Sequence, residues 1–189
     1  TMINHATTEV FFDDVFIPDD ALIGKEGDGF SYILSGMNAE RILIAAECIG
    51  DAKWFLETAA SYANDRSLFG HAIGANQGVA FPLAKAYAHM RAAEAIVDKA
   101  AQLYDEGQSH ALEANMAKML AADASWEAGD ACLQTHGGFA FASDYNSERK
   151  NREKRHYQGA PNSTNLILAF IAEKALGLPK SYGPEKEKK

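Results

Sequence analysis

The chain has 189 residues and carries 26 acidic against 18 basic side chains, a formal net charge of −8. This length allows one domain with a sizeable core, and the acidic balance argues against a nucleic-acid-binding protein. No uncharged run approaches the ~20 residues that a membrane span needs, and the six histidines show no metal-ligand spacing.

The first segment with a clear pattern is residues 8–17, TEVFFDDVFI, whose Val, Phe and Ile content predicts a β-strand. One strand does not satisfy its own backbone, and even a two-stranded hairpin is marginal. We therefore expect the chain to be a piece of a longer protein with a sheet upstream, or to borrow a sheet from a partner. An unpaired extended arm is the alternative. The glycine-rich loop at residues 24–30, GKEGDGF, matches no phosphate-binding motif.

Apolar residues at three- and four-residue spacing predict three long helices, a short one and a terminal one. The predicted helices are residues 30–64, 77–104, 109–135, 147–155 and 163–176. Pro82 should kink the second helix or delay its start. Short connections between such helices indicate an all-α fold, an antiparallel up-and-down helical bundle preceded by one residual β-strand.

Three segments follow from this pattern: residues 1–25 with the strand and a turn, residues 26–178 with the helical bundle, and a polar, disordered tail at residues 179–189. Cys48 and Cys132 lie far apart on apolar helical stretches. They are predicted to be buried free thiols in a reducing compartment rather than a disulfide.

Two charged stretches within the helices need interpretation. In GMNAERILIA, residues 36–45, Glu40 shares an apolar line of the helix, so it should point toward the side that packs. Taken alone, an exposed or ion-paired glutamate is the simpler interpretation. The basic stretch RKNREKR, residues 149–155, predicts a solvated helix face, with contact to an anionic group as the alternative.

Two further stretches could bind a ligand. In NDRSLFGHAIGANQ, residues 64–77, Arg66 could hold a phosphate beside a helix N-terminus; an ordinary interhelical loop is the alternative. In QTHGGFAFASDYNSER, residues 134–149, the pair Gly137-Gly138 allows close backbone approach to a ligand or a neighbouring subunit. A simple helix C-cap is the alternative there.

Together these stretches resemble the C-terminal part of an acyl-CoA dehydrogenase. DRSLFGHAIGANQ is similar to the family's R-x-x-F-G-x-x-I-x-x-x-Q motif, and CLQTHGGFAFASDYNSERKNRE to its Q-x-x-G-G-x-G-[FY] segment with the following ER-x-x-R. TTEVFFDDVFIPDDALIGKEGDGF is similar to the passage from the middle β domain into the C-terminal helical domain. The likeness covers nearly all of residues 8–179, and residues 1–25 would be the end of the β domain.

The resemblance implies an FAD-dependent enzyme that converts an acyl-CoA to a trans-2-enoyl-CoA. A carboxylate takes the α-proton, and the β-hydrogen leaves as hydride to the flavin. An electron-transfer flavoprotein is the usual electron acceptor, and members are dimers or tetramers built largely through this domain. The expected location is cytoplasmic, or the mitochondrial matrix in a eukaryote. The 189 residues alone should bind FAD weakly and turn over no substrate, because two upstream domains help to enclose the site.

Site residues carry over from the family's motifs. The implied FAD contacts are Arg66, Ser67, Phe69 and Gln77 across a subunit interface, Gln134, Gly137 and Gly138 at the adenylate end, and Ser163 and Asn165 at the flavin. Asn38 and Arg41 would lie near the thioester arm of the substrate, with Asn38 standing where many members have Asp. Ala140 replaces the last glycine of the family's G-G-x-G, which implies a slightly different backbone.

The catalytic base is where the chain departs from most of the family. Most members carry Tyr-Glu-Gly-Thr before the last helix, with the Glu as base. The matching residues 160–163 are APNS, and Pro161 has no proton-accepting side chain. A minority, resembling the isovaleryl-CoA and long-chain enzymes, keeps its base on the long helix directly before an Arg, where Glu40 stands here. The resemblance therefore favours Glu40 as the base.

Three other interpretations stay open. One is a catalytically silent subunit that pairs with a competent chain. Another is a flavin oxidase or monooxygenase of the same fold. The third is a non-enzymatic helical bundle that binds partners.

Overall fold

The computed structural model describes residues 8–180, most of which form five α-helices. The helices are α1 (Gly29–Asp65), α2 (Gln77–Asp105), α3 (Ala111–His136), α4 (Asn146–Lys154) and α5 (Thr164–Lys174). Every predicted helix is present with its ends within one turn, so the predicted helical bundle is confirmed. The predicted polar tail lies almost wholly outside the described residues.

Helix α3 lies at the centre of the bundle and packs against the other four α-helices. Its buried positions recur at three- and four-residue spacing and carry small side chains: Ala114, Ala117, Ala121, Ala124, Ala128 and Cys132. Small residues in such a row allow neighbouring helices to approach closely. Phe55 of α1 and Met90 of α2 supply the largest apolar side chains of the core they share.

Residues 8–17, predicted as a strand, form no strand in the structure. They are exposed along their whole length, including Phe11, Phe12 and Phe16. A strand forms only where a neighbour satisfies its backbone N–H and C=O groups, and no other described residue does so. Within residues 8–180 the segment is therefore the extended arm, and its place in a β domain stays a prediction.

The connection between α1 and α2 contains a short β-hairpin that the sequence pattern did not predict. Strand β1, Ser67–Leu68, pairs antiparallel with β2, His71–Ala72. Phe69 and Gly70 form the turn, with φ of 53° and 87°. Positive φ at both central residues is typical of the type I′ turn that fits a two-residue hairpin. Strands of two residues are too short to show an alternating pattern, so the sequence predicts only a loop.

The basic stretch at residues 149–155 is only partly a solvated face. Lys150 forms an ion pair with the buried Asp51 of α1, and Lys154 forms one with Asp130 of α3. The other basic residues of α4 pair with glutamates along the exposed side of the helix. The two inward lysines therefore tie α4 to the bundle, which corrects the predicted solvated face at these positions.

Lys154 occupies space that an unsubstituted glycine leaves free. Its side chain is 1% exposed, and its Nζ lies 2.5 Å from Asp130 Oδ1 and 4.6 Å from the centre of the Trp126 ring. A Cβ added at Gly129 would lie 2.7 Å from Lys154 Cδ and 2.8 Å from its Nζ. Because Lys154 Nζ donates to Trp126 O and to Asp130 Oδ1, moving this side chain aside would break both contacts.

We expect Gly129→Ala to lower the free energy of unfolding by about 1–3 kcal/mol through this overlap. The sign is informative, because Gly→Ala inside a helix ordinarily stabilises by up to about 1 kcal/mol. The matched control is Gly50→Ala on α1, where an added Cβ meets nothing within 4 Å and should stabilise. Urea denaturation of both variants measures the difference; equal effects in the two would contradict the overlap.

Cys48 and Cys132 are free and buried, as predicted. Burial raises the pKa of each thiol from 9.0 to about 12. A protonated thiol in an apolar interior is a poor nucleophile. Both cysteines therefore belong to the core rather than to a reactive site.

The two thiols predict a loss of stability in alkali. In the unfolded chain each thiol ionises near pH 9.0, whereas in the folded chain it keeps its proton to about pH 12. Their contribution is therefore complete below pH 9 and is lost as the pH rises toward 12. Between pH 8 and pH 10 the double variant Cys48→Ala/Cys132→Ala should lose about 3 kcal/mol less unfolding free energy than the unchanged chain. Urea denaturation at both pH values measures this, and equal losses would refute it.

Candidate active site

A cavity of about 600 Å³, here the Arg41 cavity, opens between α1, α3 and α5. Its apolar lining includes Phe30, Leu34, Met37, Leu166 and Phe170. Its polar lining includes Asn38, Arg41, Asn115 and Asn162. A mostly apolar cavity with a few convergent polar groups is typical of a small-molecule site.

Arg41 is the central polar group of this cavity. It is 7% exposed, its Nη1 donates to Asn38 Oδ1 at 2.7 Å, and its Nε donates to Asn162 Oδ1 at 3.2 Å. Burial lowers its pKa, while the neighbouring charge of Glu40 acts in the opposite direction. The structure thus brings the predicted pair Asn38 and Arg41 together and adds Asn162, which is 121 residues away from Arg41.

Lys118 of α3 contacts the turn that carries Asn162, at residues 160–163. It is 0% exposed, and its Nζ donates to the backbone oxygen of Asn162 at 3.0 Å. Burial lowers its pKa. The sequence analysis did not identify Lys118 or Asn162 as site residues, although the helical pattern around Lys118 indicates that it is buried. Its neighbours one turn away on α3 include Ala114, Ala121 and Ala122, which mark the buried face of the helix.

Glu40 does not lie on a face that this chain packs, contrary to the expectation from its apolar line. Glu40 is exposed, and so are Ile33 and Leu43 on the same line, at 59% and 70%. The reason is that α1 begins well before the bundle: residues 29–36 are all exposed, and burial starts at Arg41. Within residues 8–180 this part of the apolar line is therefore exposed at Ile33, Glu40 and Leu43, whereas the neighbouring Arg41 turns inward.

The hairpin and the end of α3 enclose a second cavity of about 480 Å³, here the hairpin cavity. Its lining includes Arg66, Leu68, Gly137 and Gly138. Gly137 has φ of 58°, which favours glycine, and an added Cβ there would meet nothing within 4 Å. The structure thus brings Arg66 together with the glycine pair. The sequence analysis had placed Arg66 at FAD across a subunit interface and the glycines at the adenylate end.

Phe69 stands at the tip of the hairpin. Its side chain is 98% exposed, and its backbone holds φ of 53°, which few non-glycine residues adopt. The φ value is that of the hairpin turn, so the feature that suits a binding position is the aromatic ring, which is fully exposed within residues 8–180.

The remaining predicted site residues lie apart from these two cavities. Gln77 begins α2, and Gln134, in the last turn of α3, lines a third cavity of about 690 Å³ with Gly78. Ser67, in β1, and Asn165, in α5, are exposed. Ser163, also exposed, is the residue before α5 and follows Asn162 directly.

Two other kinds of site are absent from residues 8–180. Within this range, no group of three or more His, Cys, Asp or Glu side chains is placed to hold a metal ion. Of the helices in the same range, none combines the length and apolar character needed to cross a membrane.

Comparison with known proteins identifies the family. Residues 27–176 match the family model for the acyl-CoA dehydrogenase C-terminal domain. The acyl-CoA dehydrogenase FadE12 of Mycobacterium tuberculosis is 39% identical over 176 residues, which are 92% of this chain and 45% of that protein. The chain therefore spans about half the length of such curated relatives.

Solved structures agree with this assignment. Butyryl-CoA dehydrogenase from Megasphaera elsdenii superposes with a TM-score of 0.84 at 29% identity, over 88% of this chain and 43% of that one. The FAD complex of PigA does so with a TM-score of 0.84 at 28% identity, again over 88% and 43%. The chain thus belongs to the acyl-CoA dehydrogenase family and has the fold of its C-terminal helical domain.

Proposed function

We propose that this chain forms the C-terminal part of an FAD-dependent dehydrogenase that converts an acyl-CoA thioester to its trans-2-enoyl-CoA, with Glu40 as base. The observation that carries this proposal is the hydrogen bond from Arg41 Nε to Asn162 Oδ1. It joins the helix stretch that contains Glu40 to the turn where most of the family has its base. Glu40 and Pro161 each directly precede one partner of this bond, although Glu40 is exposed and neither residue lines the Arg41 cavity. The proposal is that a carboxylate at either position reaches the same substrate carbon.

Each residue has a defined task in this reaction. Glu40, next to Arg41, takes the α-proton of the thioester onto its carboxylate oxygen. Arg41 holds the polar end of the cavity in shape through Asn38 and Asn162. The apolar walls include the exposed Phe30 and Leu34, which exclude water from the acyl chain once the cover proposed below is in place. FAD, when bound, supplies the acceptor for the β-hydrogen, which leaves as hydride.

The residues at the hairpin fit one end of such a cofactor. Arg66 offers a guanidinium that matches phosphate oxygens, and Gly137 leaves open space where a side chain would intrude. The exposed ring of Phe69 is free to stack on a flat heterocycle. Because Phe69 points away from its own chain, the FAD it contacts would belong to a second copy, which accords with a homo-oligomer.

The whole protein is the form in which to test this function. The outward face around Glu40 needs a cover, and we propose that upstream domains of the whole protein supply it. We also propose an electron-transfer flavoprotein as the electron acceptor. These 189 residues alone should bind FAD weakly and turn over nothing.

The test is anaerobic addition of acyl-CoAs of different length and branching to the whole, FAD-loaded protein. Loss of the oxidised-flavin absorbance with at least one of them is the expected result. Slow reoxidation by oxygen and fast reoxidation by an electron-transfer flavoprotein should follow. Fast reoxidation by oxygen would instead establish the oxidase alternative. An unchanged spectrum with every thioester, in an oligomer that contains a second and different chain, would establish the silent subunit.

A further inference from the structure

Lys118 is a buried charge that stability does not explain. It is 0% exposed on the alanine-rich face of α3, and in residues 8–180 it forms no ion pair with a carboxylate. Burying an ammonium group without an ion-pair partner is costly, and burial lowers the pKa of Lys118, which the charge of Asp123 offsets only in part. A methionine of similar length would fill the same space without that cost. The position therefore suits a task that an apolar side chain does not perform.

Within the described part of the chain, Lys118 donates a hydrogen bond to the turn beside the Arg41 cavity. Its Nζ donates to the backbone oxygen of Asn162 at 3.0 Å, while Arg41 Nε donates to the side-chain oxygen of the same residue at 3.2 Å. The ends of the turn are held separately: Ala160 N donates to His156 O at 3.0 Å, and Ser163 O accepts from the first turn of α5. Within the described residues, the middle of the turn is thus held to the bundle by two cations acting on Asn162.

We propose that Lys118 is a positioning residue, which together with Arg41 fixes the turn at residues 160–163 against the Arg41 cavity through Asn162. The inference rests on the proposed function, because it assigns the turn to the wall that orients the thioester beside Glu40. Arg41 comes from α1 and Lys118 from α3, so the turn takes its position from these two packed helices rather than from its own sequence. Two charged hydrogen-bond donors on buried side chains hold the turn more firmly than one donor would.

Lys118→Met tests the proposal in the whole protein, because it keeps the length of the side chain and removes the donor. The matched control is Lys154→Met, which removes the other fully buried lysine but lies at the α3–α4 contact. Asn162→Ala removes the acceptor of Arg41 at a half-buried position, which keeps the test available if Lys118→Met fails to fold.

Hydrogen exchange of the peptide that spans residues 158–166 measures directly how firmly the backbone of the turn is held. We expect Lys118→Met to speed its exchange about 10- to 100-fold, as loss of a charge-assisted hydrogen bond implies. Lys154→Met should leave this peptide unchanged. Equal exchange in Lys118→Met and the unchanged protein, or equal acceleration by both lysine variants, would overturn the proposal whatever reaction the protein catalyses.

The rate of flavin reduction measures the effect of the turn on the active site. Lys118→Met should slow flavin reduction by acyl-CoA about 10- to 100-fold while the Kd of the thioester changes less than about threefold. Because both residues act through one turn, Lys118→Met and Asn162→Ala should be non-additive when combined. Additive effects, or a looser turn with an unchanged reduction rate, would overturn the positioning role. If no thioester reduces the flavin even in the unchanged protein, the proposed function fails. Faster hydrogen exchange of residues 158–166 in Lys118→Met would still show that Lys118 fixes the turn at residues 160–163.

Discussion

Glu40→Gln in the whole protein should slow anaerobic flavin reduction by acyl-CoA about 10²- to 10⁴-fold, the range that a general base contributes. Glutamine keeps the size of the side chain and removes its ability to take a proton. Acyl-CoA should still bind with nearly the same Kd, because the polar contacts of the cavity come from Asn38, Arg41 and Asn162. Stopped-flow absorbance of the oxidised flavin measures the rate, and a titration monitored by the flavin spectrum measures the Kd.

Glu47→Gln is the matched control for this experiment. Glu47 is an exposed glutamate two turns further along the same line of α1, and it accepts a hydrogen bond from Tyr157 Oη at 3.2 Å. Glutamine preserves that acceptor, so the reduction rate should stay within about twofold of the unchanged protein. Similar losses in both variants would point to a change of α1, and an unchanged rate in Glu40→Gln would place the base elsewhere.

The fold could be predicted because its helices are long and their apolar residues are regularly spaced. Over 25 residues or more, as in α1 and α2, the three- and four-residue spacing outweighs single exceptions such as Pro82, which stays within α2. The hairpin was not predicted, for the opposite reason. Its strands have two residues each, and the decisive feature is a backbone angle at Phe69 that a side-chain pattern does not encode.

Contacts in the site could be predicted only between residues that lie close together in the sequence. Asn38 and Arg41 are one turn apart on a helix, so their contact follows from spacing. The contact between Arg41 and Asn162 joins distant segments, and it depends on how α1, α3 and the turn before α5 pack. Glu40 was expected to point toward a packed side, yet it is exposed in this chain, as the simpler interpretation of the sequence had it. An apolar line indicates a face that needs a cover but not which chain segment supplies it.

The paired positions around the Arg41–Asn162 bond give the second large prediction. If Glu40 and Pro161 serve one place, a carboxylate moved from one to the other should still work. We expect Glu40→Gln/Pro161→Glu to reduce flavin about 10- to 100-fold faster than Glu40→Gln alone, a partial regain within the span of general-base catalysis. Full activity is not expected, because 1 Å of misplacement is enough to cost about 10²-fold.

The matched control adds the same carboxylate one residue away. Ala160 is half-buried, as Pro161 is, but it does not directly precede Asn162. Glu40→Gln/Ala160→Glu should therefore stay as slow as Glu40→Gln. A regain in both double variants would mean that any added carboxylate acts through solvent, and a regain in neither would show that the two segments do not serve one reacting carbon. A regain confined to Pro161→Glu would show that the hydrogen bond from Arg41 to Asn162 marks the point at which two arrangements of the family's base converge.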